Sequence, residues 1–484
     1  MAAGPTGPRG HEQSPAGPGG QRPSSGFARL RRSITSRRAR VCVVGQGYVG
    51  LTVAAAAATA GMEVDGVDRD EARIAELNAG RPVAGVRVAD FELGRETGRL
   101  RFGSDPAVAA DADVVLICVP TPVVDGRPDL SAVEGAGGDV APHLRPGCLV
   151  VLESTTYPGT TEGVLRPRLE AHGLRAGTDF LLAYSPERIN PGDDKYGMAD
   201  IPRIVGGLTR ESTRTAAAFY GELVDQVHTV SSCRAAELAK LLENTFRMVN
   251  IALVNELAVL SSEQGIDLWE VIDAAATKPF GFMPFFPGPG VGGHCIPLDP
   301  TYLSWQVRRD TGRPLRLVET AHDVNSQMPA HVVSRVAEAL STRGKALNGA
   351  RVLAVGVTFK PNVGDIRESA AVEVLVQLHR KGARVSFHDP FVDRVERGSL
   401  KLKRVALTER ALRQADCVLL LTPHDSYDLD ALVQHSTLLF DTRNATRASR
   451  RSGGDKRSPA GSGGEKRSPA GSGGDKRSPS VVVL

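Results

Sequence analysis

Val41-Cys42-Val43-Val44-Gly45-Gln46-Gly47-Tyr48-Val49-Gly50 joins a four-residue apolar run to a GxGxxG turn, and an alanine-rich stretch, 51–60, follows at once. The run reads as a short buried strand and the stretch after it as a helix. Gly45, Gly47 and Gly50 permit a tight turn and a close pyrophosphate approach, with Tyr48 and Val49 completing the loop at a helix N-terminus that supplies amides and a dipole. The next strand, Glu63 to Val67, ends at Asp68, about twenty residues on, where the acid that binds a ribose diol belongs. Strand, turn, helix and terminal acid together predict a dinucleotide site. Asp68 favours NAD over NADP because it would repel a 2′-phosphate.

Two further apolar runs end in threonine at the carboxyl edge expected of the same sheet, the edge where open α/β sheets bind ligands. One is 112–122, ending in Pro120-Thr121-Pro122; the other is Leu149 to Leu152, followed by Glu153-Ser154-Thr155-Thr156. Turn capping is the competing reading for each threonine. The C-terminal part echoes this order. A strand at 350–355 ends at Gly356, a second ends at Asp389, and 415–423 mirrors 112–122, but no GxGxxG is present. The fold class expected is α/β, with two Rossmann-like doubly wound parallel-sheet domains; the second should bind something other than the dinucleotide.

Between them, Arg234 to Gln264 carries Leu238, Leu241, Leu242, Val249, Ala252, Leu253 and Leu257 on a helical period, with serines before and Gly265 after. This predicts one helix of about thirty residues, about 45 Å long, in a central helical region. Lys240, Asn244 and Arg247 form a second stripe, either aimed at one oxygen or lying on a solvated face. Farther on, Gly292-Gly293-His294-Cys295-Ile296-Pro297-Leu298-Asp299 sets one cysteine in a glycine-walled turn with a carboxylate four residues later. A thiolate there can attack a carbonyl while Gly292 and Gly293 let backbone approach a substrate. A tight turn around an inert buried cysteine is the alternative.

The six cysteines are scattered without metal-binding spacing, so no metal site and no disulfide framework is expected, and reduced thiols point to a cytoplasmic protein. The net charge of +4 divides into +7 over residues 1–40, +6 over 446–484 and −9 between them. An acidic body makes nucleic acid an unsuitable principal partner, and no stable membrane association is expected. Both basic ends read as disordered, the first rich in Gly, Pro, Ser and Arg, the second built on a ten-residue repeat from Ser452. Val481 to Leu484 is apolar but short for an anchor. Arg31-Arg32 ahead of an apolar run mimics a twin-arginine export signal, although the glycines at 45, 47 and 50 interrupt that run.

Taken with GQGYVG at 45–50, the motifs ICVPTP (117–122), ESTTYPGTT (153–161), SPERINPGD (185–193), AAELAKLLENTFRMVNIALVNE (235–256), FFPGPGVGGHCIPLDP (285–300), GVTFKPNVGDIRES (356–369) and LLFDTRN (438–444) resemble the UDP-glucose/GDP-mannose dehydrogenase family from about Val41 to Ala445. The resemblance implies a four-electron oxidation of a nucleotide sugar at C6 with NAD as cofactor. It implies Cys295 as nucleophile, Lys240 and Asn244 as oxyanion donors, Asp299 and Thr155 around the hydrolytic water, and Glu187 in proton handling or thioester hydrolysis. Arg188, Lys360 and Arg443 would contact the UDP-sugar, while Thr121, Arg73 and Arg367 would contact the cofactor. A homodimer or higher oligomer built about the long helix is also implied.

Two departures separate the chain from the UDP-glucose branch, namely Pro191 where that branch has a second glutamate, and Thr277 to Phe282 where it has an arginine before the glycine-rich turn. The motifs resemble the branch oxidising UDP-N-acetylglucosamine, with UDP-N-acetylmannosamine, UDP-N-acetylgalactosamine and UDP-glucose as alternatives. The uronic acid would feed surface polysaccharide or a glycoside. A two-electron hydroxyacid dehydrogenase needs no thiol, and a non-catalytic NAD-binding scaffold needs no Lys240, Asn244 or Asp299. The expected organisation is a disordered tail over 1–38, an NAD-binding domain over 39–230, a central helical domain over 231–330, a UDP-sugar-binding domain over 331–445 and a disordered repeat tail over 446–484.

Overall fold

The computed structural model describes residues 25–83, 85–124, 126–189, 197–293, 295–454 and 480–484, with Ser25, Cys295 and 451–454 described by their backbone alone. Two sheets flank a helical centre. The first contains β1 (Arg40–Val44), β2 (Glu63–Val67), β3 (Leu100–Gly103), β4 (Val114–Ile117), β5 (Leu149–Leu152), β6 (Leu181–Tyr184), β7 (Arg203–Gly207) and β8 (Val227–Val230), in the order β8-β7-β6-β5-β4-β1-β2-β3. β1 to β6 run parallel, and β4 and β5 are buried on both faces, as their unbroken Val/Leu/Ile runs require. β7 turns back antiparallel to β6, and β8 runs with β7, so the sheet is parallel except for two strands at one edge.

The basic N-terminal stretch departs from expectation. Helix α1 (Ser25–Thr35) buries Phe27, Leu30 and Ile34 in the first core. It lies against α3 (Arg210–Tyr220), while α2 (Tyr48–Thr59) is the helix of the glycine turn. The expected disorder of 1–38 is therefore corrected for residues 25–38. Three apolar residues at i, i+3 and i+7 define one face even when arginines fill the other. Residues 1–24 lie outside the described residues.

The centre is built on α4 (Cys233–Gln264), a helix of 32 residues capped by the Ser232 hydroxyl at its start and by Gly265, at φ 69°, at its end. After α5 (Leu268–Ala276) come α6 (Cys295–Thr311) and α7 (Arg316–Ser341). α7 packs along α4 and carries the chain into the second core. Asn255 and Asn325 bridge the two helices at 2.9 Å; Asn325 also donates to the Met248 carbonyl, and the Asn255 oxygen accepts the Gly288 amide at 3.0 Å. These buried amides tie the loop before Cys295 to both helices.

The second sheet contains β9 (Arg351–Val355), β10 (Arg384–His388), β11 (Cys417–Leu420), β12 (Leu438–Asp441) and β13 (Ser480–Val483), in the order β10-β9-β11-β12-β13, all parallel. α8 (Ala370–Arg380) covers one face. β13 corrects the second tail. Ser480 to Val483 pair with Leu438 to Asp441, Val482 and Leu484 pack into one core and Val481 into the other, and Trp269 on α5 donates to the Leu484 carbonyl at 3.4 Å. Four apolar residues suffice as an anchor because β12 offers an open edge for backbone pairing. Residues 447–454 form a further helix; 455–479, which hold most of the repeat, lie outside the described residues.

Candidate active site

The glycine turn has the stereochemistry a dinucleotide needs. Gly45 sits at φ 92°, and a Cβ there would lie 2.6 Å from the Cys118 carbonyl oxygen; a Cβ on Gly50 would run into the Gly45 carbonyl, whereas one on Gly47 meets nothing within 4 Å. The outer two glycines thus close the turn, and the middle one leaves the space where a pyrophosphate fits. Asp68, buried at the end of β2, accepts the Gln46 amide at 2.7 Å and the Arg73 guanidinium at 2.8 Å. Arg73 therefore stands beside the acid that ends β2.

The second sheet repeats this turn with a different outcome. Gly356, at φ 78°, leads to Val357, whose amide donates to Asp389 at 2.7 Å. Here the buried His424 Nε2 is 3.0 Å from the same carboxylate, and the Asn362 amide points to His424 Nδ1 at 2.9 Å. Thr358 and Pro361 stand where the first turn has its second and third glycines, so the close backbone approach to a pyrophosphate is missing around Asp389. The role of Asp389 is to fix the 356–369 loop, which carries Lys360 and Arg367.

At the carboxyl edge of the first sheet, Thr121 Oγ1 donates to the Thr155 carbonyl at 2.8 Å, and the Tyr302 hydroxyl contacts the Thr121 carbonyl. The two threonine turns are thus stitched together beneath α6. Glu237 on α4 holds the segment beyond Thr155, its carboxylate accepting the amides of Gly159 (2.5 Å) and Thr161 (2.9 Å) and the Thr161 hydroxyl (2.7 Å).

α4 places Lys240 and Asn244 one turn apart on a buried face, while Arg247 is exposed. Lys240 Nζ donates to the Glu187 carbonyl at 2.7 Å, and Asn244 Nδ2 donates to Asp299 Oδ2 at 2.5 Å. The solvated-face reading of Lys240 and Asn244 is thereby excluded. Asp299 lies one turn along α6 from Cys295, the first residue of that helix. Burial pushes its carboxyl up to about 6, with Lys240 and the Asn244 amide opposing. His294 and the Cys295 side chain lie outside what is described.

Glu187 is also buried; one carboxylate oxygen accepts the amides of Arg188 (2.7 Å) and Ile189 (2.6 Å) and the other is 3.0 Å from Arg203. Arg188 reaches Glu243 on α4 at 2.6 Å. Gly292 and Gly293 face protein: a Cβ on Gly292 would be 2.7 Å from the Glu368 carbonyl, and one on Gly293, at φ 85°, would be 2.8 Å from the Phe359 ring. Their smallness lets the 356–369 loop close over the turn before Cys295. Arg443, after β12, lies against Gly288 in the same turn, and burial pulls its guanidinium down to about 10. Lys360 follows Phe359, its Nζ 5.9 Å from that ring. Arg367 pairs bidentately with Asp365 on the second unit's loop, at 2.7 to 3.1 Å. The group thus brings Lys240, Asn244, Asp299 and Glu187 together around the start of α6, with Lys360 and Arg443 approaching from the C-terminal sheet and Arg73 and Thr121 on the N-terminal one.

Sequence reasoning missed Arg203 and Tyr220, which sit with Glu153 behind Glu187. The available signal was a lone arginine in the apolar run Ile201-Pro202-Arg203-Ile204-Val205.

Among the described residues no group of His, Cys, Asp and Glu could hold a metal ion, and no helix is long and apolar enough to cross a membrane. Comparison with known proteins matches residues 39–224 to the NAD binding domain of the UDP-glucose/GDP-mannose dehydrogenase family, 234–327 to its central domain and 353–448 to its UDP binding domain. The chain is 39% identical to a UDP-N-acetyl-D-glucosamine 6-dehydrogenase of Pseudomonas aeruginosa, over 73% of this chain and 83% of that protein. It is 35% identical to a UDP-N-acetyl-D-mannosamine dehydrogenase of Salmonella typhi, over 84% and 99%. The structure of a UDP-D-ManNAc dehydrogenase from Pyrococcus horikoshii superposes with a TM-score of 0.75 at 31% identity, covering 84% of this chain and 95% of that one. The chain belongs to the UDP-glucose/GDP-mannose dehydrogenase family and is an NAD-dependent nucleotide-sugar dehydrogenase.

Proposed function

We propose that the chain oxidises the C6 hydroxyl of a UDP-N-acetylhexosamine, UDP-N-acetyl-D-glucosamine first among them, to the uronic acid through thiohemiacetal and thioester intermediates on Cys295. The observation that carries this reading is the buried pairing of Asn244 with Asp299, beside Lys240 and one helical turn from Cys295. A two-electron alcohol oxidation has no use for an oxyanion site around a helix-terminal cysteine.

The Gly45–Gly50 turn would hold NAD with Asp68 at its ribose, and NAD would be the hydride acceptor in both oxidations. Cys295 at the first turn of α6 lies where helix amides and dipole favour a thiolate. The thiolate adds to the C6 aldehyde, and Lys240 and Asn244 stabilise the oxyanion that develops. Asp299 and Thr155 orient the water that attacks the thioester, and Glu187 takes its proton. Arg188, Lys360 and Arg443 bind the nucleotide sugar, cations suited to a diphosphate. Thr121 and Arg367 complete the cofactor contacts.

The identities support an N-acetylhexosamine, and the departures at Pro191 and Thr277 to Phe282 support it over UDP-glucose. Specificity is tested by measuring kcat/KM on UDP-N-acetyl-D-glucosamine, -mannosamine, -galactosamine and UDP-glucose. UDP-N-acetyl-D-glucosamine should lead; a preference for UDP-glucose would reject the branch assignment.

The active unit is a homodimer built on α4. Leu242 (63% exposed), Leu253 (53%), Leu260, Phe246 and Leu238 form an apolar stripe along its outer face, which a second copy of the same helix matches. Light scattering should give a dimer that Leu242→Asp with Leu253→Asp converts to monomer.

A further inference from the structure

Arg203 is the largest fully buried side chain among the described residues, 2% exposed at the head of β7. Its guanidinium stands between two buried carboxylates, with Nη2 2.9 Å from Glu153 Oε2 and Nη1 3.0 Å from Glu187 Oε2. Nη1 also donates to the Pro186 carbonyl at 2.9 Å. On the far side the Tyr220 hydroxyl donates to Glu153 Oε1 at 2.6 Å, and the Tyr220 ring lies 5.1 Å from the guanidinium carbon. Burial pushes the Glu153 carboxyl up, Arg203 opposes and Glu187 adds to it.

Desolvating a cation and two acids is costly, and apolar side chains of similar volume serve stability as well or better. The cluster therefore asks for a purpose other than packing, and its position supplies one. Arg203 grips the carbonyl of Pro186, Lys240 grips the next carbonyl, that of Glu187, and the Glu187 carboxylate is folded between Arg203 and the amides of Arg188 and Ile189. Among the described residues, the Glu187 carboxylate is contacted by Arg203 and by the backbone amides of Arg188 and Ile189.

We propose that Arg203, braced by Glu153 and Tyr220, is a positioning residue that fixes the Glu187 carboxylate for thioester hydrolysis. This rests on the reading that Glu187 acts in that step. There the water oxygen bonds to the C6 acyl carbon, the C6–sulfur bond breaks and its electron pair leaves on Cys295. One water proton passes to Glu187, and no oxidation or reduction occurs. Loss of the Arg203 fork slows this step and spares hydride transfer, because Arg203 touches neither the glycine turn nor α6. Lysine at 203 keeps one charge but cannot bridge both acids and the Pro186 carbonyl, so it restores the step only in part.

The test is stopped-flow NADH formation and intact-protein mass with UDP-N-acetyl-D-glucosamine, on Arg203→Gln, Arg203→Lys, Tyr220→Phe and, as reference, Glu187→Gln. The expected result is a burst of two NADH per site followed by turnover at least tenfold slower, and an acyl adduct on Cys295, in Glu187→Gln and Arg203→Gln. Arg203→Lys and Tyr220→Phe should be intermediate, with the Kd for NAD within twofold of wild type throughout. If Arg203→Gln does not fold, the two milder variants carry the test. An adduct in Glu187→Gln with burst-free turnover in all folded Arg203 and Tyr220 variants overturns the inference. No adduct in Glu187→Gln overturns the Glu187 assignment and the inference with it.

Discussion

Leu484→Ala tests the docking of the C-terminal strand. Leu484 is 8% exposed inside the core that contains Val352, Leu419 and Phe440. Truncating a buried leucine costs 2–5 kcal/mol, and a chain end relaxes more readily than a helix interior, so the lower bound of about 2 kcal/mol applies. For a domain of roughly one hundred residues each kcal/mol moves the midpoint by about 4–8 °C. The transition of the C-terminal domain should therefore fall by on the order of 10 °C. Removing 480–484 outright also uncovers the edge of β12 and takes away the Trp269 acceptor. With Trp305 replaced by Phe, Trp269 is the sole indole, and its emission should shift to the red. Amide exchange at Leu438 to Asp441 should quicken. Unchanged melting, emission and exchange in both variants would refute a docked strand and restore the picture of a free tail.

Three further outcomes are expected. Asp299→Asn should be more stable than wild type above neutrality: a carboxyl raised on folding from 3.8 to about 6 gives stability that is complete below pH 4 and lost as pH rises to 6. The gain is up to about 3 kcal/mol, and thermal melts at pH 4 and 7.5 should converge at the lower pH and separate at the higher. Asn244→Ala should raise the barrier by about 2.7–4 kcal/mol in kcat if its amide serves the oxyanion, with NAD affinity unchanged by calorimetry. Gly50→Ala should do the reverse, weakening NAD binding because the new Cβ strikes the Gly45 carbonyl.

What could be read from the sequence, and what could not, follows from the range of the interactions. Gly45 to Gly50, Asp68 and the ends of α4 are set by local backbone rules, and they fell where periodicity and turn chemistry put them. Lys240 and Asn244 read more readily as a solvated stripe, because only the packing of α6 and of the 185–189 segment buries them. α1 was hidden by composition: Phe27, Leu30 and Ile34 are outnumbered by arginines and serines, and averages conceal a three-residue face. β13 was hidden by length, since four apolar residues acquire meaning only from the open edge of β12. Arg203 could not be placed at all, as its two acids come from 50 residues upstream and 16 upstream in sequence. The glycines at 292 and 293 read as letting backbone approach a substrate; that they also make room for Phe359 and the Glu368 carbonyl is visible only once the 356–369 loop is in place.

The central claim is that Cys295 carries C6 through a covalent four-electron oxidation. The direct measurement is NADH released per UDP-N-acetyl-D-glucosamine consumed, with product identity, for wild type and Cys295→Ser. Wild type should give two NADH and the uronic acid with no free aldehyde; Cys295→Ser, whose hydroxyl stays protonated near neutrality, should lose turnover by several orders of magnitude while still binding NAD. One NADH per sugar with a stable aldehyde, or near wild-type uronic acid formation by Cys295→Ser, would contradict it.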